Sequence, residues 1–187
     1  MSVPYTHHRW TLEDWDRMIA AGVFREGERV ELIEGEVLEM TPAGDRHVWV
    51  MAWLARAWSG LPSCESVQIM QQVPLRLGSD SEPEPDVLIL KPVEEWSASG
   101  KPRAGDVHLL VEIADTSLEY DMNKKVPLYA RHGIPEVWVV DLTGRRVHVF
   151  RNPEDGKYRQ ADVHSTGRIA PAAFPDAEID VGAMLAG

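Results

Sequence analysis

Pro85-Asp86-Val87, Val111-Glu112-Ile113-Ala114 and Asp121-x-x-x-Lys125-x-x-x-Tyr129 are the three pieces from which the rest of this chain is read. Asp86 opens one apolar run, Asp86 to Lys91, and Glu112 stands near the end of the next, Asp106 to Ile113. Runs that are apolar on both faces predict central strands of a covered sheet. A surface acid seldom sits in such a run. The third piece predicts a helix from about Met122 to His132, capped by Asp121 and closed by Gly133. Asp121, Lys125 and Tyr129 then project from one side of it. Pro127 conflicts mildly with a regular helix and is tolerable in its first turns. Two carboxylates can hold a hard divalent cation, and a nearby lysine can stabilise a developing anion. Such a set suits metal-assisted phosphodiester hydrolysis. The plain alternative for Asp121 and Lys125 is a surface ion pair, and Lys124 competes for the basic role.

Upstream, Thr11 with Asp14 predicts a capped helix, with Leu12, Trp15, Ile19 and Met18 on its apolar face and Gly22 at its end. Arg29 to Met40 reads as a β-hairpin turning at Glu34-Gly35. A two-residue turn sets Glu31 opposite Leu38, on the face of Ile33 and Met40. A carboxylate there is costly unless it is paired or binds a cation; the other reading is a rim acid paired with Arg29. A helix is expected from Arg46 to Trp58, burying Val48, Met51, Ala52, Ala55 and Trp58. His47 reads first as a packing residue near that stripe. Ser66 to Leu77 alternates strictly and predicts one strand, with Gln71 the polar residue on its apolar face. Gln71 is either a hydrogen-bonded core residue or part of the site. Pro92 to Gly105 reads as a loop.

Downstream, Glu136 to Asp141 and Arg146 to Arg151 are expected to form a hairpin about Thr143-Gly144-Arg145. Asn152 to Gly187 reads as a polar extension, with a short edge strand at Tyr158-Arg159-Gln160. The order predicts an α/β fold: a mixed sheet flanked by helices, preceded by an N-terminal helix and hairpin. Asp86 and Glu112, on successive strands, are expected to be neighbours.

At 187 residues a single domain is expected. No apolar run reaches the length of a membrane span. Cys64 is the sole cysteine, which excludes an intramolecular disulfide and suits a cytoplasmic setting. With 30 acidic and 19 basic residues the net charge is −11, which argues against gripping nucleic acid over the whole surface. A local basic strip from Arg76, Lys101, Arg103 and Arg131 would favour a polymeric substrate.

Glu31-Leu32-Ile33-Glu34-Gly35-Glu36, Pro85-Asp86-Val87, Val111-Glu112-Ile113, Asp121-x-x-x-Lys125-x-x-x-Tyr129 and Gly133-Ile134-Pro135-Glu136-Val137-Trp138-Val139-Val140-Asp141 occur here in that order. Together they resemble a large, mostly uncharacterised bacterial family of restriction-endonuclease-like proteins, once a domain of unknown function, in the PD-(D/E)xK nuclease-like superfamily. The resemblance runs from about Tyr5 to Phe150 and implies a restriction-endonuclease-like core, with residues 151–187 as an extension of the same domain. It implies that Asp86 and Glu112 are the two metal-binding acids, joined by Glu31 and the backbone carbonyl of Ile113. The superfamily's lysine two residues after the second acid is Ala114 here. The resemblance implies that the basic group comes instead from the following helix, where Lys125 matches by its spacing from Tyr129. His47 matches a further position of the pattern, and Gln71, Asp121 and Tyr129 would support the site. The activity so implied is Mg²⁺- or Mn²⁺-dependent cleavage of DNA by a homo-oligomer, with exposed tryptophans such as Trp96 available for an interface. The rivals are a silent nucleic-acid-binding or interaction module on a nuclease fold and a hydrolase of small phosphate esters.

Overall fold

The computed structural model describes residues 6–59, 67–92 and 100–186, so Cys64 and Trp96 lie outside it. In chain order it holds helix α1 (Leu12–Ala20), the hairpin β1 (Val30–Ile33) and β2 (Glu36–Glu39), and helix α2 (Asp45–Trp58). Then come β3 (Gln68–Gln71), β4 (Val87–Leu90), β5 (Val107–Ala114), β6 (Glu136–Asp141), β7 (Arg146–Glu154), β8 (Lys157–His164), β9 (Arg168–Ile169) and β10 (Ile179–Asp180). A crossover helix between β5 and β6 runs as Leu118–Tyr120, a π turn Asp121–Lys125 and Val126–Arg131, and a last helix spans Val181–Met184.

The two central apolar runs behave as expected. Strands β3 to β8 form one sheet in sequence order, antiparallel except between β5 and β6. That parallel step is the one bridged by the crossover helix, as a parallel pair requires. Alternate residues of β4 to β6 enter two cores. Val87, Ile89, Leu109, Val111, Trp138 and Val140 face α2 and the C-terminal segment. Leu88, Leu90, Leu110, Val137 and Val139 face the crossover helix. With both faces covered, an acid in these strands has water only at the sheet's end.

Local signals set the outer elements. Thr11 and Asp14 form the reciprocal cap that starts α1. Only Trp15 of its apolar face is buried, while Ile19 is 47% exposed. Glu34 and Gly35 both take positive φ, at 49° and 77°, the tight turn that matches strand twist. The register then sets Glu31 opposite Leu38 as expected.

Four elements depart from the sequence expectation. Ser66 to Leu77 is not one strand: β3 stops at Gln71, and Gln72 takes φ 50°. That kink breaks the two-residue alternation, so Ile69 packs into one core while Leu75 and Leu77 enter the other. In α2 the buried stripe is Val50, Leu54 and Trp58, and Val48 is 47% exposed. Trp58 fixes this rotation by packing edge-on against Trp138, at 5.7 Å between ring centroids, and donating to the Ala177 carbonyl at 3.2 Å. Asp121 is not a helix cap. The helix begins three residues earlier, at Leu118, and Asp121 lies inside it. The Val126 N–H donates to the Asp121 carbonyl five residues back, the extra residue of a π turn. Pro127 then falls in the first turn of the final segment, where no N–H is needed.

The fourth departure is the C-terminal part. β8 is eight residues long, not three, and pairs along all of β7. Ile169, Ala177, Ile179, Val181, Met184 and Leu185 are buried in the α2-side core. Short apolar pieces spaced through polar chain hid this, because each buries one or two side chains without a regular period. Buried Glu136 ties the segment down. Its carboxylate accepts from Trp138 Nε1 at 2.6 Å, Arg151 Nε at 2.9 Å and the Ala172 N–H at 2.6 Å.

Candidate active site

The β4–β5 register pairs Val87 with Val111. Carried one step further it sets Asp86 opposite Glu112, at the end of the sheet. Both side chains are buried, at 5% and 3% exposure. Asp86 Oδ2 accepts the Ile113 N–H at 2.7 Å, and its Oδ1 lies 2.8 Å from His47 Nε2. The first turn of α2 thus buttresses the acid, so His47 meets the site directly.

The crossover helix supplies the rest. Its π turn buries Asp121 and Lys125, while Lys124 is exposed. The Lys125 ammonium sits 3.0 Å from Glu31 Oε2 and 3.3 Å from Glu112 Oε1. Tyr129, one turn further on, donates to Glu112 Oε1 at 2.5 Å. Ser117 donates to Asp121 Oδ2 at 2.7 Å. The long helix thereby brings Asp121, Lys125 and Tyr129 to the two strand acids. The hairpin brings Glu31, which also accepts the Glu84 N–H at 3.4 Å.

Four carboxylates, Glu31, Asp86, Glu112 and Asp121, and one ammonium, Lys125, are buried at this end of the sheet. Burial raises the Glu112 pKa well above the ordinary carboxylate value, and Asp121 and Asp86 raise it further, against the pull of Lys125 and Tyr129. Burial raises Asp121 in the same direction. Burial works against the charge of Lys125, but Glu112, Glu31 and Asp121 overcome it and hold the ammonium protonated. Burial and Glu112 hold Tyr129 protonated, so the phenol is a donor. Tyr129→Phe is expected to lower stability by about 1.5–3 kcal/mol, the worth of a hydrogen bond to a charged group. A urea unfolding midpoint checks this; an unchanged midpoint would show that the bond contributes nothing.

These residues open on a cleft of about 500 Å³, whose rim includes Arg29, Glu39, Thr41, Glu84 and Asp115. Arg29 is paired with Glu84 at 2.6 Å rather than with Glu31. One expectation is corrected here. Gln71 is exposed and donates to the Met51 carbonyl at 2.9 Å, so it ties β3 to α2 and does not line the cleft. Gln71 keeps the α2-facing side it shares with Ile69, but it stands at the end of β3, where that side is exposed. Among the described residues, no three His, Cys, Asp or Glu side chains converge as a ready ligand set.

Three of the four residues expected to form a basic strip are paired with acids. Arg76 pairs with Asp16 and Glu82, Lys101 with Glu82, and Arg131 with Glu34. Sequence reasoning missed Tyr120, which lines the cleft from a segment read as connection. The available signal was its position five residues before Lys125, which share a side only in a π turn.

The profile of the Uma2 family, described as "Putative restriction endonuclease", matches residues 12–182. A crystal structure of "a putative nuclease belonging to DUF820" from Anabaena variabilis ATCC 29413 is similar at TM-score 0.71 and 15% sequence identity. The likeness covers 94% of this chain and 97% of that one. No curated protein matches. Among the described residues no helix is long and apolar enough to cross a membrane.

Proposed function

We propose, since this chain belongs to the Uma2 family, that it hydrolyses phosphodiester bonds in DNA with a bound Mg²⁺ or Mn²⁺. The observation that carries the reading is the convergence of Asp86, Glu112 and Lys125 at one cleft. The donor chemistry fits such an ion. Mg²⁺ is commonly held by one or two carboxylates and keeps several waters, so a third side chain is not required. Asp86, Glu112 and the Ile113 carbonyl would hold it, and its two positive charges would offset the surplus of buried carboxylates. When bound, the ion supplies an activated water and neutralises charge on the phosphate.

The chain's own residues do the remaining work. His47 and the Ile113 N–H fix the Asp86 carboxylate from two directions. Tyr129 fixes Glu112. Glu31 neutralises Lys125 and aims it. The Lys125 ammonium stabilises the negative charge on the phosphate oxygens as the bond breaks. Asp121 holds the helix turn in place through Ser117. Cutting both strands of a duplex takes two such sites, so the working unit is proposed to be a homo-oligomer acting in the cytoplasm.

A small-ester reading draws support from the paired state of Arg76, Lys101 and Arg131, which weakens the expected basic strip. One experiment separates the two. Purified protein is incubated with supercoiled plasmid or p-nitrophenyl phosphate in Mn²⁺, Mg²⁺ or EDTA, beside Asp86→Asn. Plasmid nicking that EDTA stops, and that Asp86→Asn lowers by about 10²-fold or more, is expected. Turnover of the ester alone favours the second reading, and equal cleavage by wild type and variant sinks both.

A further inference from the structure

Arg29 stands just before β1. Its carbonyl accepts the Met40 N–H at 2.9 Å, which carries the hairpin ladder one step past the pair Val30 and Glu39. Alternate residues of an extended chain point to one face, about 7 Å apart along the strand. Arg29 therefore shares the face of Glu31, and both side chains line the cleft. They differ in depth. Glu31 holds the buried Lys125 ammonium, whose side chain is 6% exposed, whereas the Arg29 side chain is 31% exposed. Arg29 is thus a cation at the mouth of the cleft, within reach of solvent.

The charge balance of the cleft gives that position a use. Seven carboxylates line it against two fixed cations, Arg29 and Lys125. A DNA strand brings a further negative charge with each phosphate. Lys125 is committed, since its ammonium bridges Glu31 and Glu112. Arg29 is committed only in part. Among the described residues its side-chain partner is Glu84, which accepts from Nη2 at 2.6 Å. A guanidinium carries five N–H donors in a planar fork, so Nε and Nη1 keep theirs. Arg76, by contrast, spends Nε on Glu82 and Nη2 on Asp16. Glu84 is itself tied down, its N–H donating to Glu31 at 3.4 Å, and so it fixes the direction of the fork. A half-exposed ion pair contributes little to folding. A fork with free donors matches two phosphate oxygens at once.

We propose that Arg29 is a substrate-binding residue whose guanidinium, aimed by Glu84, donates to the phosphate backbone of the DNA strand as it enters the cleft. The inference rests on the phosphodiester reading of the cleft and adds a contact outside the buried acids and Lys125. No bond is made or broken by this residue; it offsets the repulsion between the strand and the acids at the mouth.

The test is the binding of a fluorescein-labelled DNA duplex in Mn²⁺, read by fluorescence anisotropy over a series of NaCl concentrations. Asp86→Asn serves as the parent that leaves the duplex uncut, and Arg29→Gln or Arg29→Lys is added to it. Arg29→Gln is expected to weaken binding by about tenfold or more, as loss of a hydrogen bond to a charged group does. The slope of log Kd against log NaCl should fall by about 0.9, the share of one phosphate contact. Arg29→Lys keeps the charge but not the fork, so the slope should hold while part of the affinity goes. In the enzyme with Asp86 intact, Arg29→Gln should raise KM for plasmid nicking and leave kcat nearly unchanged, with a urea midpoint close to that of the wild type. If Arg29→Gln keeps the parent's affinity and salt slope, the inference fails, and nicking by the wild type leaves the cleft reading standing. Weaker binding with an unchanged slope would mean a role in shape or folding and also overturns it. A wild type that nicks no better than Asp86→Asn removes the cleft reading and this inference together.

Discussion

Lys125→Met is expected to cut cleavage by about 10²–10³-fold and to lower the free energy of unfolding by about 3–5 kcal/mol at pH 8. Both effects come from one ammonium. It is 5% exposed and bridges Glu31 and Glu112, at 3.0 and 3.3 Å. Met fills a similar volume without the charge, so packing is kept while two buried carboxylates lose their cation. Glu112 already has a pKa well above its ordinary value because of burial and its acidic neighbours. Without Lys125 it rises further. A carboxyl whose folded pKa is raised binds more protons folded than unfolded. Stability then falls as pH rises from the ordinary value near 4.5 through the raised one. In the wild type, Lys125 stays charged across this range. The deficit of the variant should therefore be small at pH 5 and large at pH 8. With a urea slope of about 2 kcal/mol per molar, the pH 8 midpoint should drop by about 2 M. Lys125→Met combined with Glu112→Gln should regain part of it, because the amide carries no charge and still accepts from Tyr129. Equal deficits at both pH values would show that the ion pair is not what holds this part of the fold.

A chain ending at Phe150 is expected to lose cooperative folding altogether. The boundary is where the family blocks legible in the sequence end, yet the core does not end there. Ile169, Ile179, Val181, Met184 and Leu185 are each no more than 6% exposed. Full burial of such a side chain contributes about 1.5–3 kcal/mol, taken as an upper estimate. Five of them match the whole net stability of a typical domain, about 5–15 kcal/mol. The cut also removes Arg151 and the Ala172 N–H from buried Glu136, leaving it Trp138 alone. Trp58 loses the Ala177 carbonyl that holds its indole. Near-UV circular dichroism and a urea transition check this. The milder Met184→Ala should cost about 2–5 kcal/mol in a chain that still folds. A truncated protein with a sharp transition would show the segment to be dispensable.

Much of the site was legible because its acids sit where solvated acids do not. Glu112 in a continuous apolar run and Asp86 at the mouth of another already stood out, and their register follows from adjacent antiparallel strands. The hairpin turn at Glu34-Gly35 and the cap at Thr11 were legible for the same reason: each is decided by a few neighbouring residues. The partners of those acids were not legible in this way. Nothing near Glu31 in sequence says that it faces Lys125, and nothing near His47 says that it reaches Asp86. Spacing chose Lys125 over Lys124 only by assuming a regular helix, and burial inside a π turn is what distinguishes them. Gln71 keeps the face it shares with Ile69, but at the end of β3 that face is exposed and its amide is spent on the Met51 carbonyl.

The sequence by itself determined the strands of the sheet centre, the two-residue hairpin, the capped first helix and the position of two acids at one end of the sheet. Those follow from periods of two and 3.6 residues and from turn and cap chemistry, all local in the chain. The tertiary structure decided the rotation of α2, the π turn, the burial of the C-terminal segment and the pairing of Glu31 and Glu112 with one lysine. Each of these depends on what packs against a residue from far along the chain. Burial, not sequence position, sets both the cost of an unpaired charge and the partner that relieves it.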